Sequence, residues 1–471
     1  MKKRVKGSIT VFLLLITTVF VTLITTLIDI IRVDAAMGVA TRAGYLYNES
    51  ADRMTDSEIL LKYGFYVGRE DMSRDGLVTL FYSLADENLD CSAQTDISTK
   101  SFSVHTSLFG RSADGMKNDV SDIIYRVCEI ASNENTADDY RKVYEILDKM
   151  KSPAELLSAN MELLPIESSD SETFYSKMEK LCLSDTAFKS PSPALTKLYC
   201  DRYSLRCEVS WTQEEWVYQN SYNPYVRDKI TENIVSINRA NDDIVKNIWF
   251  SKSDGMVVLS SGDFDYFTND LTVYLLKHFD TFYGNGGSKR FNAQLEYIQF
   301  GKPSDKENVV CMLEKIYNYR YAMNLLSLTS DGKLSADAAV CIAEKEAALD
   351  VMLLAKGKSV PIIKSANHFM CNEDTTDEQL IAMSNAAKSY SGSDSVSYKD
   401  YVVFGLYHST NFEMLYARII DLISFEENTN LANRICTAEV EWEYRVKFTP
   451  VSVVGMLGFI GTDSKERIPL V

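Results

Sequence analysis

The side chains that most often carry enzyme chemistry are present in this sequence, but they are not grouped. Its four histidines, which could act as general acids or metal ligands, form neither HxxxH nor HExxH spacing. They are His105, His278, His368 and His408. Ser330 and Lys333 match the SxxK spacing of a serine nucleophile, yet no SDN or KTG partner follows them, and the Asp-Gly pair between them is typical of a turn. These patterns disfavour enzyme activity and predict no catalytic residue.

The glycine-rich segment and the cysteines do not predict a cofactor or a metal site either. Gly284–Lys289 resembles a phosphate-binding loop, but its glycine spacing differs and the Lys-Ser/Thr pair is missing. The nine cysteines contain no CxxC pair, and their number is odd, so they indicate neither a zinc site nor a disulfide framework. Cys200 and Cys207 are near enough in sequence to form a bridge in an oxidising exterior.

The N-terminus has the pattern of a membrane anchor. Met1–Gly7 carries four basic residues and no acid, and Ile9–Ile28 follows with twenty uncharged residues. Twenty helical residues span about 30 Å, the thickness of a hydrocarbon core. We take the apolar side chains of this run as the anchor, in particular Ile9, Phe12, Leu15, Phe20 and Ile28. Because basic clusters stay on the cytoplasmic side, we expect the N-terminus inside and everything after about Asp34 outside.

Two questions about this segment stay open from the sequence alone. Val33–Ala35 offers small residues at about the spacing that signal peptidase reads, although a signal's apolar region is only about 7–15 residues long. The run after the span lacks proline and is rich in helix formers, so we expect the helix to continue to about Asn48. Asp29 and Arg32 stand three residues apart on one helix face. They are a candidate pair for docking another helix, or they only mark the membrane interface.

Composition and charge indicate a solvated globular part outside the membrane. The chain has 471 residues, of which 46% are hydrophobic and 24% charged, and its net charge is −17. After the five basic and two acidic residues up to Asp34 are set aside, 44 basic and 64 acidic residues remain. Such an acidic surface repels nucleic acid and anionic lipid headgroups, so we expect neither as a ligand.

The hydrophobic periodicity predicts an α+β fold that is mainly helical. Amphipathic spacing predicts helices over residues 115–132, 138–150, 154–164, 229–250, 267–283, 306–328, 335–356, 375–390 and 397–428. Alternation of apolar and polar residues predicts strands over residues 203–209, 294–300 and 438–448. We expect these strands to form a small antiparallel sheet with helices on one face.

The same patterns divide the chain into four regions. They are a basic tip over 1–7, a transmembrane and extended helix over 8–55, an extracellular α+β region over 56–290, and a helical region with a C-terminal strand over 291–471. The glycine-rich run at 284–288 is the candidate boundary between the last two regions.

Several segments resemble a known but uncharacterised family. Lys6–Leu13 and Leu27–Val33 look like the start of a domain-of-unknown-function family of clostridial-type Gram-positive bacteria, whose N-terminus is similar to TadE/TadG pseudopilin-like proteins. Further segments that fit it are Leu60–Tyr66, Glu296–Lys302, Ser304–Asn308, Arg320–Asn324, Ala348–Asp350, Leu354–Pro361, Tyr398–Tyr401 and Arg418–Ile423. The family's genes tend to lie beside those for Tad-type secretion ATPases and membrane platforms. The resemblance therefore implies the membrane and Tad-like platform or pilin proteins as partners.

One departure from the pilin pattern matters for function. Gly7-Ser8 offers the cleavage position of a pilin-type leader, but Phe12 stands where such a leader has glutamate. We therefore expect an uncleaved, single-pass anchor and an extracellular structural or accessory subunit of a Tad-like pilus or secretion apparatus. The alternative is a membrane-tethered extracellular enzyme or cell-wall-binding protein.

Overall fold

A computed structural model of the chain describes most of its N-terminal and C-terminal parts. The described residues are 7–89, 95–108, 130, 136–159, 182, 264–283, 291–302, 304–330, 334–407, 412–431, 434–448, 451 and 462–470. The chain forms two compact units. Unit 1 comprises Met1–Lys117 and Ala432–Val471, and unit 2 comprises Asn118–Leu431.

Unit 1 is built on one long helix. Helix α1 runs without interruption from Gly7 to Asp52, which is 46 residues and about 70 Å. The expected continuation of the helix past the apolar span is thus confirmed. Beyond the span, its buried positions recur every three or four residues and are mostly small. They are Ala36, Ala40, Ala43, Gly44, Tyr47 and Ala51. This stripe lets α1 lie close against the rest of unit 1.

A three-stranded antiparallel sheet covers that stripe together with a further helix. Its strands are β1 (Thr95–Leu108), β4 (Ile435–Phe448) and β5 (Thr462–Leu470), in the order β1-β4-β5. Val440, Trp442, Tyr444 and Val446 alternate inward along β4, which confirms the strand predicted over 438–448. The short helix α2 (Ser57–Tyr63) precedes α3 (Arg74–Asn88), which packs on α1 and β1.

Aromatic side chains fill the space between the sheet and the two helices. Tyr47 of α1 meets Phe81 of α3 edge to face, with ring centroids 5.7 Å apart. Phe81 stacks on Phe102 at 3.7 Å and meets Trp442 edge to face at 5.1 Å. Trp442 also donates its indole N–H to the Thr99 hydroxyl at 3.2 Å. The C-terminal half of α1 is therefore fixed to the sheet by a contiguous aromatic core.

Unit 2 is helical in the part that the structure describes. Its helices are α4 (Ala137–Ala159), α5 (Phe264–His278), α6 (Gln294–Phe300), α7 (Asp305–Ser330), α8 (Ala336–Ala355), α9 (Asp377–Ala386), α10 (Tyr398–Tyr407) and α11 (Phe412–Glu426). A two-residue ladder joins β2 (Val360–Pro361) to β3 (Ser395–Val396). Helices α7 and α8 pack along each other, and α4 contacts α5, α7 and α10. The mainly helical α+β fold expected from the sequence is confirmed.

Several element predictions are wrong. The helices predicted over 138–150 and 154–164 form one helix, α4, and the strands that pair with β4 are β1 and β5, which the sequence analysis did not predict. The segment Gln294–Phe300, predicted as a strand, is helix α6, and the helix predicted over 397–428 is divided into α10 and α11. The alternation of polar and apolar residues in α6 does not indicate a strand, because its polar residues are buried as fully as its apolar ones. The polar residues therefore do not form a solvent-exposed face. Several predictions fall outside the described residues, apart from Ile130. They are the strand over 203–209, the helices over 115–132 and 229–250, the end of the helix over 154–164, and the Cys200/Cys207 pair.

The end of α6 offers a test of local backbone strain. Gly301 has φ +66°, and a methyl group there would overlap the guanidinium of Arg418, which donates to the Ile298 and Gln299 carbonyls. Gly357 has φ +71° but nothing within 4 Å of the same methyl position. We expect Gly357→Ala to lower the free energy of unfolding by about 1 kcal/mol, and Gly301→Ala by at least twice as much. Denaturant titration of the two variants measures the difference, and equal losses would contradict the role given to Arg418.

Candidate functional site

The exposed N-terminal half of α1 is the first candidate site. The predicted anchor side chains Ile9, Phe12, Leu15, Phe20 and Ile28 all lie there, each 40–66% exposed. No residue in the most apolar 18-residue window is buried in the protein, and the window's mean hydropathy is 2.6. Within the described parts of the chain, α1 is the helix with the length and composition to cross a membrane. A secretory signal near the N-terminus would meet the same criteria.

The threonines of this half are arranged so that an apolar surrounding tolerates them. Thr17, Thr18, Thr22 and Thr26 each donate a hydroxyl hydrogen bond to the carbonyl four residues earlier, at 2.7–2.8 Å. Thr25 donates to the Val21 carbonyl at 2.9 Å. Because the hydroxyls are satisfied within the helix, they present mainly their methyl groups outward. The threonine content therefore does not argue against a membrane location.

Asp29 marks the point where the exposed half of α1 gives way to the packed half. Only 5% of its surface is exposed, and its Oδ1 accepts the backbone N–H of Val451 at 2.9 Å. Arg32, its predicted docking partner, is half-buried. The structure thus gives Asp29 a contact inside unit 1, and the docking of a separate helix at these two residues stays a prediction.

A second candidate site is a group of buried charges in unit 2, which the sequence analysis did not single out. It joins α7, α8 and the segment after β2 through Arg320, Glu346, Asp350 and Lys364. Arg320 and Asp350 are fully buried, with Nε and Nη2 each 2.8 Å from Asp350 Oδ2. Lys364 Nζ lies 2.7 Å from Asp350 Oδ1 and also pairs with Glu346. We call these four residues the buried charge network.

Further bonds of the network go to the protein's own backbone and to one amide. Arg320 donates to the Ile362 carbonyl at 2.7 Å, and Asn324 donates to Asp350 Oδ2 at 3.2 Å. Glu346 accepts the backbone N–H groups of Met370 and Cys371. Two basic side chains thus face two acidic ones, and Arg320 and Glu346 also bond to the backbone of the 362–371 segment.

The neighbouring charges keep the Asp350 carboxyl ionised. Burial alone would raise the pKa of Asp350, but the adjacent charges of Arg320 and Lys364 hold it below the usual range. Burial raises the pKa of the neighbouring Cys371 thiol, so that group stays protonated at neutral pH. The buried charge network therefore contains an ionised carboxylate at Asp350, held by two cationic side chains. It serves to fix α7, α8 and the 362–371 segment relative to one another.

Two buried acids and a partly buried one surround α6. Glu296 is fully buried, and its Oε1 accepts the Phe282 N–H at 3.0 Å and the Tyr398 hydroxyl at 2.9 Å. Asp305 accepts the backbone N–H groups of Asn292 and Ala293, at 3.1 and 3.0 Å. Glu426 accepts the Phe291 N–H at 2.9 Å. These carboxylates satisfy backbone donors of the segments before α6, which explains why so many acids are buried there.

Burial has a large effect on the carboxyl group of Glu296. Its Oε2 has no hydrogen-bond partner in the described part of the chain. Burial raises the pKa of Glu296 to about 7, and the charge of Asp305 adds to the rise. The hydrogen bonds from Phe282 and Tyr398 act in the opposite direction. Glu296 therefore changes its protonation near neutral pH inside a packed core.

The described residues contain no grouping suited to a metal ion. No three His, Cys, Asp or Glu side chains within them come together in a way that could hold one. His278 and His368 lie in separate segments of unit 2, and His105 lies on β1 of unit 1. His408 and the Ser330–Lys333 spacing lie partly or wholly outside the described residues.

Comparison with known proteins gives one match, to a family without an assigned function. The model of a family of unknown function (DUF5702) matches residues 252–344 and 338–447. These residues contain the whole buried charge network and the acids around α6. No curated protein and no solved structure matches the chain. Over residues 252–447, which are less than half of its length, the chain is similar to this uncharacterised family.

Proposed function

We propose that this protein is a membrane-anchored extracellular subunit of a Tad-like pilus or secretion apparatus, with a structural or accessory, pseudopilin-like role. In this proposal α1 crosses the cytoplasmic membrane once, with the basic tip in the cytoplasm and both units outside. The observation that carries it is the continuous helix α1, with an exposed apolar half and a half packed on a sheet. A helix that continues outward from the membrane is what the resemblance to pseudopilin-like proteins implies.

The charges of unit 2 are consistent with a structural role. The buried charge network and the acids around α6 direct their hydrogen bonds to the protein's own helices and loops. Such bonds stabilise one arrangement of the fold, which suits a subunit that works through protein contacts. The uncharged half of α1 would pack against platform or sister helices within the membrane, where van der Waals contacts and small side chains favour association.

Co-purification from intact membranes tests the proposal. The full-length protein, extracted in a mild detergent, is expected to be recovered together with Tad-type platform proteins. A matched variant in which Ile9–Ile28 is replaced by an unrelated apolar span of equal length should stay in the membrane but lose these partners. Recovery of the native protein as a free monomer would overturn the proposal, as would protection of both units from protease added outside the cell.

A further inference from the structure

The contact between Asp29 and Val451 places a second part of the chain at the level where the apolar span ends. Asp29 is the first acidic residue of the chain and follows the twenty uncharged residues directly. Its buried carboxylate accepts the Val451 N–H at 2.9 Å. Val451 therefore lies beside α1 at the depth of Asp29.

The surface of α1 at that depth is still apolar. Ile30 and Ile31 follow Asp29 and are 61% and 58% exposed, while Asp29 itself is turned into unit 1. Val451 is 45% exposed at the same level. If α1 is a membrane anchor, these exposed isoleucines favour an apolar or interfacial environment at this depth, and Val451 shares it.

Val451 follows the end of strand β4 by three residues. Strand β4 ends at Phe448 and β5 begins at Thr462, and the two are antiparallel, with Val446 opposite Thr462. The sequence from Val451 to Ile460, which joins them, has no charged residue and contains six large apolar residues after Val451. Ten residues are too few to cross a bilayer.

We propose that the end of unit 1 formed by Ile30, Ile31 and Val451 lies in the outer interface of the lipid bilayer, so that a globular unit adds a second membrane contact to the anchor helix. This rests on the proposed function, because it requires α1 to be an anchor. The occupant of the surface is lipid at the boundary between headgroups and acyl chains. The contact is made by apolar side chains. None of the three contacting side chains is charged, so none of them is repelled by anionic headgroups.

Asp29 has a specific role in this arrangement. A backbone N–H that enters an apolar layer without a partner costs several kcal/mol. The buried carboxylate of Asp29 supplies that partner to Val451. Asp29 is thus a positioning residue that fixes unit 1 against the membrane surface.

Lipid photolabelling of the full-length protein in proteoliposomes tests the proposal. A photoreactive diazirine amino acid is introduced singly at Val451, at Leu15 in the span, or at Leu61 on α2. Leu61 is 85% exposed and lies on α2, which follows the end of α1 at Asp52, a point about 35 Å along α1 from Asp29. We expect lipid adducts at positions 451 and 15 and their absence at 61. Adducts at 15 without adducts at 451 would overturn this proposal, whereas loss of adducts at 15 would overturn the anchor itself.

A pair of variants tests the role of Asp29. Asp29→Asn keeps an oxygen acceptor for the Val451 N–H, and Asp29→Ala removes it. Lipid labelling at 451 is expected to survive in the Asn variant and to be lost in the Ala variant, with labelling at 15 unchanged in both. Equal labelling at 451 in the two variants would show that Asp29 does not position this surface.

Discussion

Replacing Asp350 with alanine is expected to destabilise unit 2 by about 3–5 kcal/mol. Asp350 is the anion that both Arg320 and Lys364 contact, at 2.8 and 2.7 Å. Its removal would leave two cations in a fully buried site with Glu346 as the single remaining acid of the network. The cost is that of the uncompensated charge, which exceeds the modest net gain of forming a buried pair.

Hydrogen exchange of the full-length protein in detergent measures this effect where it arises. Peptides from α7, α8 and the 362–371 segment should exchange about 10²- to 10³-fold faster in Asp350→Ala, if their protection reflects opening of the network. Glu344→Ala on the exposed face of the same helix is the matched control, and it should change protection by less than about 0.5 kcal/mol. Comparable exchange in both variants would mean that the network does not stabilise unit 2.

A polar variant separates charge from packing at the same position. Asp350→Asn preserves the size of the side chain and an oxygen that can accept from Arg320, but it removes the negative charge. We expect its protection to fall nearly as far as that of the alanine variant, because the two cations still lack their counter-charge. Full retention of protection in Asp350→Asn would assign the stabilisation to shape and hydrogen bonding.

The long elements of the fold were predictable because one physical signal dominates each of them. The apolar run from Ile9 to Ile28 and the small residues after it predict α1, and the structure continues the helix to Asp52. The strict alternation of Val440, Trp442, Tyr444 and Val446 with charged residues predicts β4. In each case the polarity of the side chains differs between buried and exposed positions. The spacing at which apolar residues recur then specifies a helix or a strand.

Helix α6 could not be predicted because its polar and apolar side chains are buried alike. Glu296 and Gln299 are buried alongside Leu295, Tyr297 and Ile298, so polarity does not report on burial. Tertiary contacts specify the helix. The backbone N–H groups before α6 need acceptors, and polar side chains of α6 supply some of these acceptors. This information depends on segments that are distant in sequence.

The buried charge network was missed for a related reason. Arg320 and Asp350 stand thirty residues apart on different helices, and a charge on a helix is usually read as a solvated position. One signal was available, because Arg320–Asn324 and Ala348–Asp350 both belong to the segments that carry the family resemblance. The structure supplies the physical meaning of those segments, which is the pairing of their charged side chains in the core.

The second large effect concerns pH and Glu296. Its pKa is about 7 in the folded protein, compared with an ordinary value of 4.5. The folded state therefore binds the proton more tightly than the unfolded state. Its contribution to stability is fully present below about pH 4.5 and is lost as the pH rises through 7. A shift of this size corresponds to about 3 kcal/mol, since one pKa unit is about 1.4 kcal/mol.

The variant Glu296→Gln is expected to remove this dependence. Its amide oxygen can still accept from Phe282 and Tyr398, and it carries no charge at any pH. At pH 8 we expect the glutamine variant to be more stable than the native protein by up to about 3 kcal/mol, and the difference should vanish near pH 4. Denaturant titrations of both proteins across this pH range give the comparison. Parallel stability profiles would contradict the raised pKa.

A second variant tests the cause of the shift. Tyr398 donates to Glu296 Oε1 at 2.9 Å, and this hydrogen bond favours the charged carboxylate. Tyr398→Phe removes the donor while leaving the aromatic ring against Tyr283, whose centroid lies 4.7 Å away. The pKa of Glu296 should then rise further, so the pH at which stability is lost should move upward. Since Tyr283 and Asp305 also face this carboxyl, a downward movement would mean that their arrangement, rather than the Tyr398 hydroxyl, sets the protonation of the core.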